Sequence, residues 1–379
     1  MKRCVLKLVA VIGATALGLA GCAPAPDNTA ATPTSASQTP GETGSPEASA
    51  SADPSEDFKA CLVADSGGFD DKSFHEAAHN GLVRAEEELG IEINQTAAQS
   101  EEEYASGIQS MVDDNCNLII TAGFLIANAT EAAAKQHEDI QFAIIDAASF
   151  EDVDNARGLE FNTAEAAFLG GYVAAAMSKT GKVGTFGGME IPTVTLSMDG
   201  FVQGVEHYND AHQANVTVIG WNADEQEGQF MSSDDPFDDI PGGKDAANQL
   251  ISQDADIIFP VAGSTGLGAL QSAQASDGKV NAIWVDTDGC IAAEEYCDVI
   301  ISSVFKAADD AVLTTIKDAI AGDFTSDPYV GSLENEGTGL SPFHEFDDKV
   351  PTEIKDELDQ LRGDIISGDL TITSAAQPK

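Results

Sequence analysis

The sequence predicts an α/β protein of two similar lobes, each built on a parallel sheet. Two observations carry this. Short apolar and β-branched runs recur between helical segments in two successive series, the pattern of βα repeats. About 320 residues remain once an N-terminal leader and tether are set aside, more than one core usually holds and close to two domains of ordinary size. The first series of runs covers 60–64, 91–96, 118–121, 142–145 and 158–161; the second covers 183–186, 216–221, 257–261, 282–285 and 299–304. Helical segments such as 168–177 and 244–252 lie between them.

The chain opens with Lys2, Arg3 and Lys7, followed by an apolar run over 8–20 that ends in Leu19-Ala20-Gly21-Cys22. A basic start, an apolar stretch too short to span a bilayer stably and a small-small-Cys ending mark a bacterial lipoprotein signal over 1–21. Cys22 is then the lipidated first residue of the mature chain, with an ordinary cleaved signal as the alternative. Residues 22–57 are Ala, Pro, Ser, Thr, Gly and scattered acids, which cannot bury a core and read as a flexible tether. No later segment is apolar enough to span a membrane. The expected address is the extracytoplasmic face of the cell membrane, held there by lipid.

The first predicted strand breaks at Asp65 into a glycine- and aspartate-rich loop that opens into a helix over 74–89. At the carboxyl end of a parallel strand such a loop faces the crevice where open α/β proteins bind small molecules. Ser73 can cap this helix, with Glu76 completing a capping box, and Gly90 stops it. Phe74, Ala78, Leu82, Ala85 and Leu89 share one face at spacings of three and four. Phe74 is therefore either a core residue or, at the first turn beside the loop, a ring that points into the crevice.

Cys4 leaves with the signal, and Cys61, Cys116, Cys290 and Cys297 remain beyond Cys22. Cys290 and Cys297 are close enough to close a small loop, while Cys61 and Cys116 start predicted strands that can be neighbours. Four free thiols are the alternative reading, and without CxxC spacing zinc has no support. The net charge of −46, from 64 acids against 18 basic residues, argues against nucleic acid, because phosphate binding rewards the opposite sign. Asp234, Asp235, Asp238 and Asp239 raise calcium, yet their spacing does not fit an EF-hand loop and they read as a solvated acidic loop. Paired acids such as Asp70-Asp71 raise hydrolysis. Neighbours on an extended segment face opposite sides, and no serine elbow, zinc-binding helix or phosphate-binding loop motif is present.

Six motifs then occur in order: D-S-G-G-F-D-D-K-S-F-H-E at 65–76, G-G-M-E-I-P at 187–192, F-D-D-I-P-G-G-K at 237–244, A-G-S-T-G-L-G at 262–268, V-D-T-D at 285–288 and S-S-V-F-K at 302–306. In this order, behind a lipobox, they resemble the basic membrane protein family of substrate-binding lipoproteins, the purine nucleoside receptors of ABC importers. The likeness runs from about residue 60 to 340 and implies a periplasmic-binding-protein type I fold, two Rossmann-like lobes joined by a hinge of several strands. The lobes are expected at 58–163 plus about 288–325, and at 164–287 plus about 326–379. The resemblance further implies a monomeric receptor with no enzymatic activity and no cofactor, a purine nucleoside held between the lobes, and ABC permease subunits as partners. A receptor for a sugar or other small molecule, or a sensing lipoprotein without transport, is the alternative.

Carried onto this sequence, the family's stacking positions fall on Phe74 and Phe237, its base-reading carboxylate on Asp146, a further ligand residue on Asp65, its ribose pair on Asp286 and Lys306, and a close backbone approach to the sugar on Gly263. The chemistry suits a nucleoside. Flat purine faces want aromatic partners, worth roughly 1–3 kcal/mol per stacked base, and vicinal hydroxyls are best met by an acid beside a base. Other roles stay open for each: helix caps for Asp65 and Asp146, a ligand-free salt bridge for Asp286 and Lys306, a turn for Gly263. The chain also departs from the family. Members usually carry Ser-Phe-Asn-Gln where Ser73-Phe74-His75-Glu76 stands, the usual Asp-Gln is Asp288-Gly289, and residues 224–235 read as an acidic insertion.

Overall fold

The computed structural model describes residues 57–66 and 68–378, so the expected signal, the lipidated Cys22 and the tether up to residue 56 lie outside the described residues. The first sheet is formed by β1 (Lys59–Ala64), β2 (Glu92–Ala97), β3 (Leu118–Ala122), β4 (Gln141–Ile145) and β5 (Ala156–Phe161). The second is formed by β6 (Lys182–Gly187), β7 (Thr217–Ile219), β10 (Ile257–Val261), β11 (Asn281–Asp286) and β12 (Ile300–Lys306). Between β7 and β10 in sequence, β8 (Trp221–Asn222) and β9 (Glu227–Gly228) make a small antiparallel hairpin. Two late strands, β13 (Tyr329–Gly331) and β14 (Thr338–Leu340), complete the sheets, giving the orders β13-β5-β4-β3-β1-β2 and β14-β12-β11-β10-β6-β7. All pairings within them are parallel except β12 with β14.

The sequence of the central strands explains their place. LIITA in β3 and IIFPV in β10 are buried along their whole length, because helices cover both faces of a parallel sheet. Alternate side chains then join different cores. Ala60 and Leu62 of β1 pack with α1 (Phe74–Leu89) and α9 (Ala308–Ala321), whereas Cys61 and Val63 pack toward α2 (Tyr104–Asp113) and α3 (Ala127–Gln136). In the second lobe Ile257 and Phe259 face α4 (Thr163–Met177), α5 (Pro192–His212) and α10 (Thr352–Ser367), while Ile258 faces α6 (Ile240–Ile251) and α7 (Leu267–Gln274). The short α8 (Gly289–Ala292) follows β11. Cys61 is bonded to Cys116 across the β1–β3 neighbours, and Cys290 to Cys297, with Cα–Cα separations of 6.0 and 4.6 Å.

The chain passes between the sheets after β5, after β12 and between β13 and β14. These crossings are tied together: Asn162 N–H donates to Gly331 C=O at 2.7 Å and Ala307 N–H to Gly337 C=O at 2.9 Å. The lobe boundaries differ from expectation here. Residues 288–306, expected in the first lobe, lie in the second, because β12 pairs with β11. Strand β13, expected in the second lobe, pairs with β5 of the first. Among the described residues no helix is long and apolar enough to cross a membrane.

Candidate ligand-binding site

Both sheets present the carboxyl ends of their strands to one cleft. Asp146 follows β4 and Asp286 ends β11, the third strand of each sheet, and both take the left-handed backbone at φ 66°. Aspartate tolerates that conformation better than most residues. Lys306, the last residue of β12, stands between them, its Nζ 2.5 Å from Asp146 Oδ2 and 3.4 Å from Asp286 Oδ1. The same ammonium lies 4.9 Å from the centre of the Phe74 ring, a cation–π contact.

One ammonium thus serves two buried carboxylates, and the protonation energetics follow. Burial opposes the charge on Lys306, but Asp146 and Asp286 outweigh it and raise its pKa. Burial also raises Asp146, with help from the Asp286 and Asp65 charges, beyond what Lys306 restores. The two directions are compatible because the cluster is short of positive charge.

The first-lobe wall is wired from Asp71. Its carboxylate accepts the backbone N–H groups of Ser73, His75 and Glu76 at 2.9–3.0 Å, and so caps α1. The expected cap, Ser73, does not act: its Oγ donates instead to Asp286 Oδ2 at 2.7 Å, across the cleft. The N–H groups that a capping hydroxyl would accept go to the Asp71 carboxylate, the stronger acceptor, which leaves the Ser73 hydroxyl to donate to Asp286. His75 is buried between two acids, Nε2 3.1 Å from Asp65 Oδ1 and Nδ1 3.3 Å from Asp71 Oδ2. Burial favours the neutral ring, yet the two carboxylates prevail and lift its pKa to about 10.

Phe237 forms the second-lobe wall in the loop before α6. The edge of its ring abuts Gly188, where a Cβ would stand 2.4 Å from Cε1, so any larger residue would push the ring aside. Gly263, at φ 55°, lies under the Phe237 backbone, whose carbonyl accepts from Ser264 Oγ at 3.0 Å and Thr265 N–H at 3.2 Å. The acids expected to form a solvated loop have partners: Asp238 accepts from Ser264 Oγ at 2.6 Å and Asp239 caps α6 through Gly242 N–H at 2.9 Å. The stretch 224–235 is partly built into the fold, through β9 and a bridge from Phe230 to Gly187.

All seven expected site residues, Asp65, Phe74, Asp146, Phe237, Gly263, Asp286 and Lys306, line one cavity between the lobes. With the lobes together the enclosed space is narrow, about 70 Å³. Sequence reasoning missed Asp71 as a cap and the wall contributed by Phe124, Leu125, Thr193 and Ser197. The doubled acid at 70–71 just before a helix was the available signal for Asp71. The others sit on loop and helix starts that carry no pattern.

The family model of Bmp, ABC transporter substrate-binding protein PnrA-like, matches residues 58–328. The chain belongs to this family. Basic membrane protein A of Borreliella burgdorferi is 30% identical over 328 residues, covering 83% of this chain and 88% of that one. The ABC transporter nucleoside-binding protein BmpA of Lactococcus lactis is 27% identical over 340 residues, covering 84% and 90%. A solved ABC transporter solute-binding protein from Aeropyrum pernix superposes with a TM-score of 0.73 at 27% identity, over 84% of this chain and 93% of that one. This Bmp-family chain is accordingly an extracytoplasmic substrate-binding protein of an ABC transporter, a receptor for a small molecule and not an enzyme.

Proposed function

We propose that the chain is a lipid-anchored, monomeric receptor that captures a purine nucleoside between its lobes and presents it to an ABC permease. The observation that carries this reading is the convergence of two aromatic rings, Phe74 and Phe237, from opposite lobes onto a cavity that also holds Asp146, Asp286 and Lys306. In this reading the rings sandwich the base, Asp146 accepts from its polar edge, Asp286 with Lys306 takes the ribose hydroxyls, and Gly263 lets the sugar approach the backbone. Ligand favours the closed form only through contacts it makes better there. A micromolar receptor needs about −8 kcal/mol in total, and two stacks with a charged ribose clamp are of that order after ordering costs.

Calorimetry with adenosine, guanosine, inosine, the free bases, pentoses and hexoses tests the ligand. Nucleosides are expected to bind at micromolar or tighter concentrations and the separate halves at least about a hundredfold more weakly, since each half forfeits one set of contacts. Binding of a hexose with no nucleoside binding would replace this reading with a sugar receptor. The anchor at Cys22 is checked separately by metabolic labelling with a fatty acid, expected in the natural chain and absent from Cys22→Ala; equal labelling of both refutes it.

A further inference from the structure

Asp65 lines the cavity, yet its carboxylate is already spoken for by its own lobe. Oδ1 accepts from His75 Nε2 at 3.1 Å and from Ser66 Oγ at 3.3 Å, and Oδ2 accepts from the Leu125 backbone N–H at 3.0 Å. Gly123, at φ 117°, covers what is left: a Cβ there would stand 1.9 Å from Oδ2. A carboxylate has about four acceptor sites, and three of them are taken by these donors. His75 is equally committed, since its second nitrogen faces Asp71, and Asp71 is held by three backbone N–H groups of the helix start. Strand end, loop and helix start therefore form an Asp65–His75–Asp71 circuit in which most of the polar capacity is used within the first lobe.

We propose that His75 is a specificity-determining residue that withdraws Asp65 from ligand recognition, leaving Asp146 and Asp286 as the acceptors for the ligand's hydrogen-bond donors. This deepens the nucleoside reading and rests on it. The ligand surface facing the end of β1 is then one that donates nothing. An asparagine at this position, as in the pattern from which the chain departs, brings no charge to hold Asp65. It would release that carboxylate as a further acceptor.

A double-mutant cycle on the full chain tests this, read by calorimetry with whichever of adenosine, guanosine and inosine it binds. Asp65→Asn is expected to change affinity by less than about threefold beside His75, and to cost about tenfold or more in the His75→Asn background, the scale of one hydrogen bond to a charged group. An equal cost in both backgrounds overturns the inference. Because either variant can disturb folding, the unmutated chain is also labelled with 15N-histidine and titrated with the same nucleoside, the His75 signals being assigned by their absence in His75→Asn. Both ring N–H signals are expected to keep their hydrogen-bonded positions at saturation, whereas loss of the Nε2–H bond on binding means that the ligand takes Asp65 and defeats the proposal. Failure of all three nucleosides to bind overturns the functional reading and this inference together; binding with an additive cycle overturns the inference alone.

Discussion

His75 is an imidazole that its surroundings turn into a standing cation. Burial alone would keep it neutral, and the paired charges of Asp65 and Asp71 reverse that, holding the folded-state pKa at about 10, against about 6.5 for the unfolded chain. A group raised in the folded state stabilises fully below the unfolded value and loses that contribution as pH climbs to the folded one. Stability attributable to His75 is thus expected to be constant below pH 6.5 and to fall between pH 6.5 and about 10, with a slope of at most about 1.4 kcal/mol per pH unit. At the acid end Asp71, lowered despite burial by its bonds to His75 and the helix start, gives up its contribution as pH falls below the ordinary aspartate value. Urea unfolding of the natural chain and of His75→Asn from pH 6 to 10 checks the alkaline limb: the gap between them should narrow with rising pH. A gap that stays constant or widens would mean that the ring is neutral in the fold.

At the scale of elements, the βα rhythm was legible because central parallel strands are buried on both faces and so appear as apolar runs such as LII in β3 and FAII in β4. The site was legible for the same reason: Asp65, Asp146, Asp286 and Lys306 each stand where such a run stops, and strand ends in this topology converge on one crevice. What stayed hidden has a physical cause in each case. Strands β13 and β14 are only YVG and TGL, too short for any periodicity, and their pairing with β5 and β12 is set by the returning chain rather than by their composition. Missing them moved the lobe boundary. Local spacing favours Ser73 as the cap of α1, whereas the carboxylate that draws its hydroxyl belongs to the other lobe. Proximity of that kind is a property of the closed cleft, and no local pattern contains it.

For the whole molecule the question is how much of ligand affinity resides in bonds that the two lobes make directly to one another. Hydrogen bonds and an ion pair bridge the cleft at the cavity. Ser73 Oγ reaches Asp286 at 2.7 Å, Lys306 reaches Asp146 at 2.5 Å, and the Lys72 carbonyl accepts from Thr287 Oγ1 at 2.9 Å and Trp284 Nε1 at 3.1 Å. Lys72 holds a left-handed backbone at φ 59° to present that carbonyl, a conformation of some cost for a long side chain. Such bonds exist only while the lobes are together, so they set the fraction of molecules that is ready to bind, and apparent affinity scales with that fraction. Removing the two hydroxyls with Ser73→Ala and Thr287→Val deletes one hydrogen bond to a carboxylate and one neutral bond, together expected to weaken nucleoside binding about ten- to a hundredfold. The same double variant should match the natural chain in radius of gyration when saturated with nucleoside and exceed it when ligand-free, with forward scattering giving a monomer mass throughout. X-ray scattering and calorimetry read both quantities. An affinity within about twofold of the natural chain would show that the lobes close on the ligand alone, with the bridging bonds following and not preparing the capture.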